Sequence, residues 1–596
     1  MGVKRTGRIG PAAMVLTPAL LVAALGLTAP AQAQIGTTGA PTREEIDPTR
    51  RRTDVAPSRL QVEGDIERSP CALADPAYAQ VMVPITDVQF GNLGDIPASL
   101  LRPAYARYLG SKQPVAALCD IRDAAATILR REGYLAAVQV PAQRIENGVV
   151  KFEVLLAKLV AVRVRGDAGA NEAQIARYLN HIATGGVFNR FQAERYLLLA
   201  RDMPGMDVRL ALKPSGGAPG EMVGEISVRR RVVEADFSAQ NLAPGETGPL
   251  AGQLRLQLNG LLGRGDRTYV ALNSSAQTRE QQVLQLGHDL AIGGNGLRLG
   301  GRFTYAWTRP DLGPAVPNVV SRTLFANLEA SYPLKRGQAA SLLGAMGLDF
   351  VNQRVRFNGN PLSQDRVRVA YLRLDGERVD LSGRGPGGAS RYRFAGSLEL
   401  RQGLSIFDAS RDCLANPVAC AAPGVVPPSL IGGSPSATVL RASGLAEYRF
   451  GKKLTVSVSP RGQIASGGVF GFERFALGNY TVGRGYDPGT LTGDDGVAVA
   501  GEIRHDPLRL SQKARLALQP YAFVDAGWVW SRNLPKGSAN PLNLVSAGAG
   551  TRLFWSDRAR LDLSGAVALK DAGPVKAGDV RVLFTLSTRL IPWSSR

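Results

Sequence analysis

The sequence predicts a transmembrane β-barrel of about sixteen antiparallel strands, preceded by two small β-α-α-β-β domains. Three observations carry that expectation. An export signal opens the chain. After it, one order of strands and helices runs through twice. Beyond Arg230 helical periodicity stops, and strand follows strand with small or charged residues alternating with apolar ones, the apolar-out, polar-in pattern of a barrel wall. Several of those runs reach about ten residues, the length a tilted strand needs to cross a bilayer.

Lys4, Arg5 and Arg8 form a basic start, an apolar run covers Ala12 to Leu27, and Ala31-Gln32-Ala33 offers a small-residue cleavage site. That pattern reads as a secretory signal peptide over 1–33, with the mature chain starting near Gln34. A single transmembrane helix is the alternative, and no basic stop-transfer flank supports it. No later segment reaches the roughly eighteen unbroken apolar residues of a helical span.

Residues 34–78 are polar and rich in Pro and Arg. They read as a linker or a plug segment. Pro48 and Pro57 break any continuous helix, while a short helix around Arg43–Asp47 fits.

The first repeat occupies 79–158. Ile85 to Phe90 alternates as a strand. Leu100, Leu101, Tyr105 and Leu109 predict a helix over 97–109, and Ala124, Ile128 and Leu129 a second, stopped by Gly133. Strands at 135–140 and 149–155 follow, joined through Pro141 and a turn at Asn147-Gly148. The second repeat, 159–230, has strands at 160–164, 208–212 and 222–228 around helices at 172–182 and 191–201. Each unit would bury its helices on one face of a three-stranded sheet. The open edges of such sheets can accept an extended peptide.

The barrel takes 231–596, with strand starts near 232, 252, 267, 281, 296, 321, 338, 366, 389, 437, 453, 496, 514, 543, 559 and 579. Short turns, such as those at Gly263-Arg264-Gly265, Lys335-Arg336-Gly337, Gly451-Lys452 and Ser556-Asp557, alternate with long loops at 307–320, 353–365, 404–436 and 471–496. Barrels of this kind keep short turns on the periplasmic side and long loops outside.

The chain carries 68 glycines, 3 histidines, 4 cysteines and a net charge of +21. Basicity often points to nucleic acid, but an exported chain has little chance to meet any. The charges are scattered, and arginine lining a polar channel is the functional alternative to solvated surface. In an oxidising compartment cysteines pair. Cys413 and Cys420 would clamp a short loop, which leaves Cys71 with Cys119. His181, His288 and His505 sit in unlike contexts, and no zinc spacing, phosphate loop or nucleophile elbow is present. Gly483-x-Gly485 lies in no βαβ unit, so it is not a dinucleotide fingerprint. The sequence therefore predicts no enzyme, no metal and no cofactor.

The loop GFERFALGNYTVGRGYDPGTLTGDDG at 471–496 is both glycine-rich and aromatic. Disordered segments lack such aromatics, so it reads as an ordered loop folded back onto its sheet. Glycines flank Arg484, letting the backbone turn and the guanidinium reach a carboxylate through both nitrogens. Asp525 sits among apolar residues on a strand, where an unpaired carboxylate would be costly. Glu502 is a second candidate partner. In a wet lumen this pair would be worth little, near the ~1 kcal/mol of exposed pairs.

Together these features resemble the two-partner secretion transporters of the outer membrane, the haemolysin-activator or haemagglutinin-transporter type within the POTRA-plus-barrel superfamily. Val482-Gly483-Arg484-Gly485-Tyr486 resembles the tip of the family's long inward loop. Phe523-Val524-Asp525-Ala526-Gly527 resembles the wall motif that receives the tip arginine. Gly133-Tyr134, with Pro141, Gln143 and Gly148, resembles the end of a first POTRA domain. This chain departs from the family pattern in an extra glycine before Arg484 and in its IPWSSR terminus, which does not end on an aromatic residue. The resemblance implies a monomeric pore in outer-membrane lipid, with POTRA domains in the periplasm. They would capture the N-terminal secretion domain of one large secreted exoprotein, adhesin-like or haemolysin-like. A barrel-assembly insertase is the alternative within the superfamily, and a passive porin a weaker one.

Overall fold

The structure, a computed structural model, describes residues 41–46, 62–63 and 70–591 apart from 183–186, 219, 314–317, 382–389, 452 and 535–536. The signal peptide, most of the linker and the terminal PWSSR lie outside the described residues.

Sixteen antiparallel strands close into a barrel, with Val233–Gln240 pairing both Ala251–Asn259 and the last strand, Val580–Ile591. The twelfth strand is interrupted. Asp495–His505 and Leu508–Ser511 both pair with Leu516–Trp530. Residue alternation sorts the two faces of the wall. On Ala340–Phe357, Leu342, Met346 and Leu348 are exposed on the outside, while Asp349, Val351 and Gln353 are buried inside.

One predicted loop is not a loop. Residues 353–365 continue two long strands, Ala340–Phe357 and Asn360–Val379, which meet at Asn358-Gly359. Both turn residues have positive φ, 48° and 82°, as a tight Asn-Gly hairpin turn requires. The run carries no apolar period, so its sequence alone predicts a loop. It is a hairpin standing beyond the membrane, where neither face needs to be.

The first small domain has a sheet of Asp87–Gly91, Val149–Leu156 and Ala136–Gln139, covered by the helix Ala117–Arg131. The predicted helix over 97–109 is broken into 3-10, α and 3-10 turns at Ala98–Leu101, Arg102–Tyr105 and Ala106–Tyr108. Pro103 and the nearby Gly110 leave no room for a longer regular helix. Met82–Ile85 pairs separately with Ser111–Pro114, a strand the polar Ser-Lys-Gln-Pro sequence hides.

The second domain packs helices Glu172–Asn180 and Arg190–Arg201 on a sheet of four strands rather than three. The fourth is the linker's own Val62–Glu63, parallel to Met206–Pro214, so one edge expected to be open is occupied. This domain docks on the short barrel turns. Arg336 forks onto Asp202 at 2.6 and 2.8 Å, Gln174 Nε2 donates to the Gly293 carbonyl (2.7 Å), and Gly265 N donates to Asn171 Oδ1 (2.9 Å).

Both cysteine pairs, Cys71–Cys119 and Cys413–Cys420, are disulfide-bonded. Thiol-specific reagents applied to intact membranes without reductant are expected to label neither Cys413 nor Cys420. Labelling of both would show an unclamped loop.

Candidate functional site

The segment between Leu454–Ala465 and Asp495–His505 turns into the lumen as a hairpin. Phe475–Leu477 pairs antiparallel with Leu491–Gly493. Leu477, Val482, Tyr486 and Leu491 bury themselves against Val529, Leu544 and Ala568 of the wall. Apolar packing therefore sets the loop's position, and polar groups fix its register.

Arg484 makes that fixation at the tip. Its Nε donates to Asp525 Oδ2 (2.9 Å), its Nη2 to Oδ1 (2.8 Å), and its backbone N–H to Oδ2 (2.9 Å). The guanidinium carbon stands 3.5 Å from the Phe523 ring centroid, a cation–π contact. Glu502 lies farther, 3.5 Å from Arg484 Nη1, and mainly serves Arg552 at 2.7 and 2.8 Å. Asp525 is only 1% exposed and Arg484 21%, so the pair is far less wet than a water-filled lumen implies.

The flanking residues are chosen by space. Gly483 has φ +121°, and a Cβ there would meet Leu544 at 2.7 Å. A Cβ on Gly485 would come within 2.9 Å of Ser546, and one on Gly527 within 2.7 Å of Leu477. The Tyr486 hydroxyl stands 2.8 Å from the Val545 carbonyl and 2.7 Å from that of Lys570. The extra glycine before Arg484 is thus the residue that lets the tip turn.

A second fixation lies at the loop's base, and sequence reasoning missed it. Glu473 accepts from Arg401 Nε (2.8 Å) and Nη2 (2.9 Å) and from Arg441 Nη2 (3.0 Å). Arg401, 1% exposed, also bonds Glu399 (2.7 Å) and Asp349 (2.8 Å). Burial works against ionisation of Glu473, but Arg401, Arg441 and Arg43 outweigh it and hold its carboxyl below the usual carboxylate range. The clue was the inward alternation, which places Asp349 and Arg401 on the lumen side of their strands. Such positions read as solvated until a loop covers them.

Arg43 brings the N-terminal segment into the same cluster, 3.4 Å from Asp349 and 3.9 Å from Glu473. It belongs to the short helix Arg43–Ile46, at whose start the Glu45 carboxylate accepts from the Thr42 N–H (3.3 Å) and the Thr42 hydroxyl (2.9 Å). Ile46 packs on Phe470 and Phe472. Gln285 donates to the Ile46 carbonyl (3.0 Å), Gln353 to that of Pro41 (3.2 Å), and Arg461 pairs with Glu44 (3.2 Å). Loop and N-terminal segment thus share the lumen and one set of charges.

The remaining predicted motif is scattered. Gly133, with φ +91°, and Tyr134 face the second domain: Arg190 N donates to the Gly133 carbonyl (2.7 Å), and a Cβ at Gly133 would meet Phe191 at 2.6 Å. Gln143 instead caps Lys151, donating to its carbonyl (2.7 Å) and accepting from its N–H (2.8 Å). Pro141 sits beside it, and Gly148 turns the hairpin at φ +75°. Only Gly133 and Tyr134 touch the domain junction. Among the described residues no group of His, Cys, Asp and Glu could hold a metal.

The family described as haemolysin secretion/activation protein ShlB/FhaC/HecB matches residues 226–553, more than half of the chain. The chain belongs to this family. A curated relative, the heme/hemopexin transporter protein HuxB of Haemophilus influenzae strain 86-028NP, is 24% identical over 230 residues. That match covers 37% of this chain and 40% of HuxB, so the chain spans less than half the length of the curated relatives it matches. The solved structure of CdiB from Escherichia coli superposes with a TM-score of 0.69 at 15% identity, and CdiB from Acinetobacter baumannii with 0.64 at 16%. Each comparison covers 89% of this chain and 94% of the CdiB chain. At such identity they establish the fold, a closed barrel with N-terminal β/α elements.

Proposed function

We propose that the chain is the outer-membrane pore of a two-partner secretion pair, exporting one large adhesin-like or haemolysin-like protein. One observation carries this reading. The lumen of a closed sixteen-strand barrel is filled by a loop and an N-terminal segment of the chain itself, held by side-chain charges and small apolar contacts. Contents held in this way can rearrange without unfolding the wall. A passive porin would have no need of them, nor of a domain docked on its short turns.

In this reading the two N-terminal domains are periplasmic POTRA units, and the long loops face outside. Their free sheet edges bind the partner's N-terminal secretion domain by strand addition. No nucleotide is available in the periplasm, so folding of the partner outside supplies direction. The residues that act are positional: Arg484, Asp525 and the Glu473 cluster hold the lumen's contents in register. The transporter works as a monomer and performs no covalent chemistry.

Deleting 79–158 is expected to abolish secretion of the partner while the barrel still assembles, seen as heat-modifiable gel mobility. A large repeat-rich exoprotein in the neighbouring reading frame is the partner to assay. Unchanged secretion by a well-folded deletion would exclude the docking role.

A further inference from the structure

The outside of the wall carries a charged patch that the lumen does not use. Strand register determines which side chains share the lipid-facing surface. On Ala340–Phe357 that surface is marked by the exposed Leu342, Met346 and Leu348, and the same alternation continues to Arg354 and Arg356, both exposed. Arg322, also exposed, stands directly opposite Arg354 on Val319–Arg336. On the other side Asn352 stands opposite Arg366 of Asn360–Val379, diagonal to Arg354. Four arginines therefore gather on three adjacent strands.

Their place along the strands is equally definite. Trp307, exposed, pairs with Arg322, and aromatic residues of this kind mark the interface of a barrel's apolar band. Three outward positions further along each strand the same face presents Leu328, Leu348 and Leu372, with Leu400 opposite Leu372 on the next strand, all exposed. The arginines lie on the hairpin side of those leucines. Further round the barrel, outward positions near the same ends are Ile464, Val497 and Trp530, and the charges beside them, Asp495 and Arg532, pair with each other (2.9 Å).

Little on the chain neutralises the patch. Among the described residues, Asp408 is the carboxylate paired with any of the four, and it serves Arg366. Gln364, with its amide oxygen turned toward them, bridges Arg354 and Arg366 at 3.0 Å each, but it carries no charge. Like charges directly opposite on one sheet face are destabilising, and the Arg322–Arg354 pair has that arrangement. A surface holding such repulsion just above an apolar band is matched to an amphipathic anion.

We infer that this patch binds the phosphate groups of the phosphorylated glycolipid of the outer leaflet, with its acyl chains lying on the leucine band. Guanidinium forks suit phosphate, donating two parallel N–H bonds to its oxygens. Each exposed arginine keeps its stem over apolar wall and its head at the headgroup level. The bound lipid supplies the missing anions and ties the tall Asn358-Gly359 hairpin to the leaflet. The inference rests on the orientation proposed above, with long loops outside.

The test uses the full mature chain in detergent, with native mass spectrometry of bound lipid. The probes are bisphosphorylated lipid A, the same lipid stripped of both phosphates, and inorganic phosphate alone. The wild type should retain the bisphosphorylated lipid. The variant R322Q/R354Q/R356Q/R366Q should bind it at least about tenfold more weakly, the equivalent of one charge-assisted hydrogen bond. The matching four-lysine variant should keep most of the binding, and heat-modifiable mobility reports whether each variant is folded. Equal retention of the stripped lipid, or unchanged binding by the folded glutamine variant, would overturn the inference. So would binding of inorganic phosphate without preference for the lipid, which would mark a free-anion site. Lost secretion with lipid binding intact would assign the patch to the exported protein instead. Orientation is read separately, by labelling Arg354→Cys on whole cells with a membrane-impermeant maleimide.

Discussion

Glu473→Gln is expected to raise the single-channel conductance of the reconstituted protein and to lower the temperature at which its barrel loses compact gel mobility. The lumen cluster contains three guanidiniums, Arg43, Arg401 and Arg441, and three carboxylates, Asp349, Glu399 and Glu473. Removing one carboxylate leaves three cations, two of them buried and Arg441 20% exposed, to two anions. Glu473 is 5% exposed, so water cannot make up the difference, and breaking such a pair typically costs about 3–5 kcal/mol. Because Glu473 sits on the loop, the strain falls on the contact between loop and wall rather than on the wall. The loop base and the Arg43–Ile46 helix should both loosen. Arg43→Ala provides the comparison: Asp349 and Glu473 keep their shorter bonds to Arg401 (2.8 Å each), so mainly the N-terminal segment is freed, and conductance should rise while barrel stability falls less than in Glu473→Gln. Wild-type conductance in folded Glu473→Gln would mean that the cluster does not hold the lumen's contents in place.

The contrast between this cluster and the tip shows what a sequence of this kind discloses. Arg484 and Asp525 were legible because each stood out locally, one among glycines and the other among apolar strand residues. Alternation likewise revealed the wall, since the bilayer imposes a period on the residues facing it. Glu473, Arg401 and Asp349 carried no such mark. Each lies where a charge is ordinary, on a loop or on the inner face of a barrel. Their partnership depends on which stretch of chain fills the lumen, a long-range fact that no window of sequence contains. Arg43 is the extreme case, separated from Asp349 by 306 positions. The 353–365 hairpin failed for a related reason. Beyond the membrane neither face of a strand needs to be apolar, so the period that identifies strands elsewhere fades while the pairing continues.

Arg484→Ala and Asp525→Ala are each expected to impair secretion of the partner strongly while leaving insertion of the barrel intact. A wet lumen would put the pair near the ~1 kcal/mol of an exposed contact. The structure argues for more. Asp525 is all but fully buried, takes three hydrogen bonds from Arg484, and has the Phe523 ring shielding the guanidinium. A cost approaching the ~3 kcal/mol at the low end for broken buried pairs is therefore expected. The two single variants should not be equal. Arg484→Ala strands a buried carboxylate with only the backbone N–H of residue 484 to answer it. Asp525→Ala leaves Arg484 partly exposed and still 3.5 Å from Glu502, so it should be the milder change. Arg484→Lys keeps the charge but loses the two-nitrogen fork, and should fall between wild type and Arg484→Ala. The double variant removes both charges and should be no worse than Arg484→Ala alone, because nothing is then left unpaired. Secretion measured across the four forms, with gel mobility confirming a folded barrel in each, gives the coupling directly. Losses that simply add in that cycle would show the two residues acting independently, and the loop would then be held by its apolar packing on Leu544 and Val529 rather than by this pair.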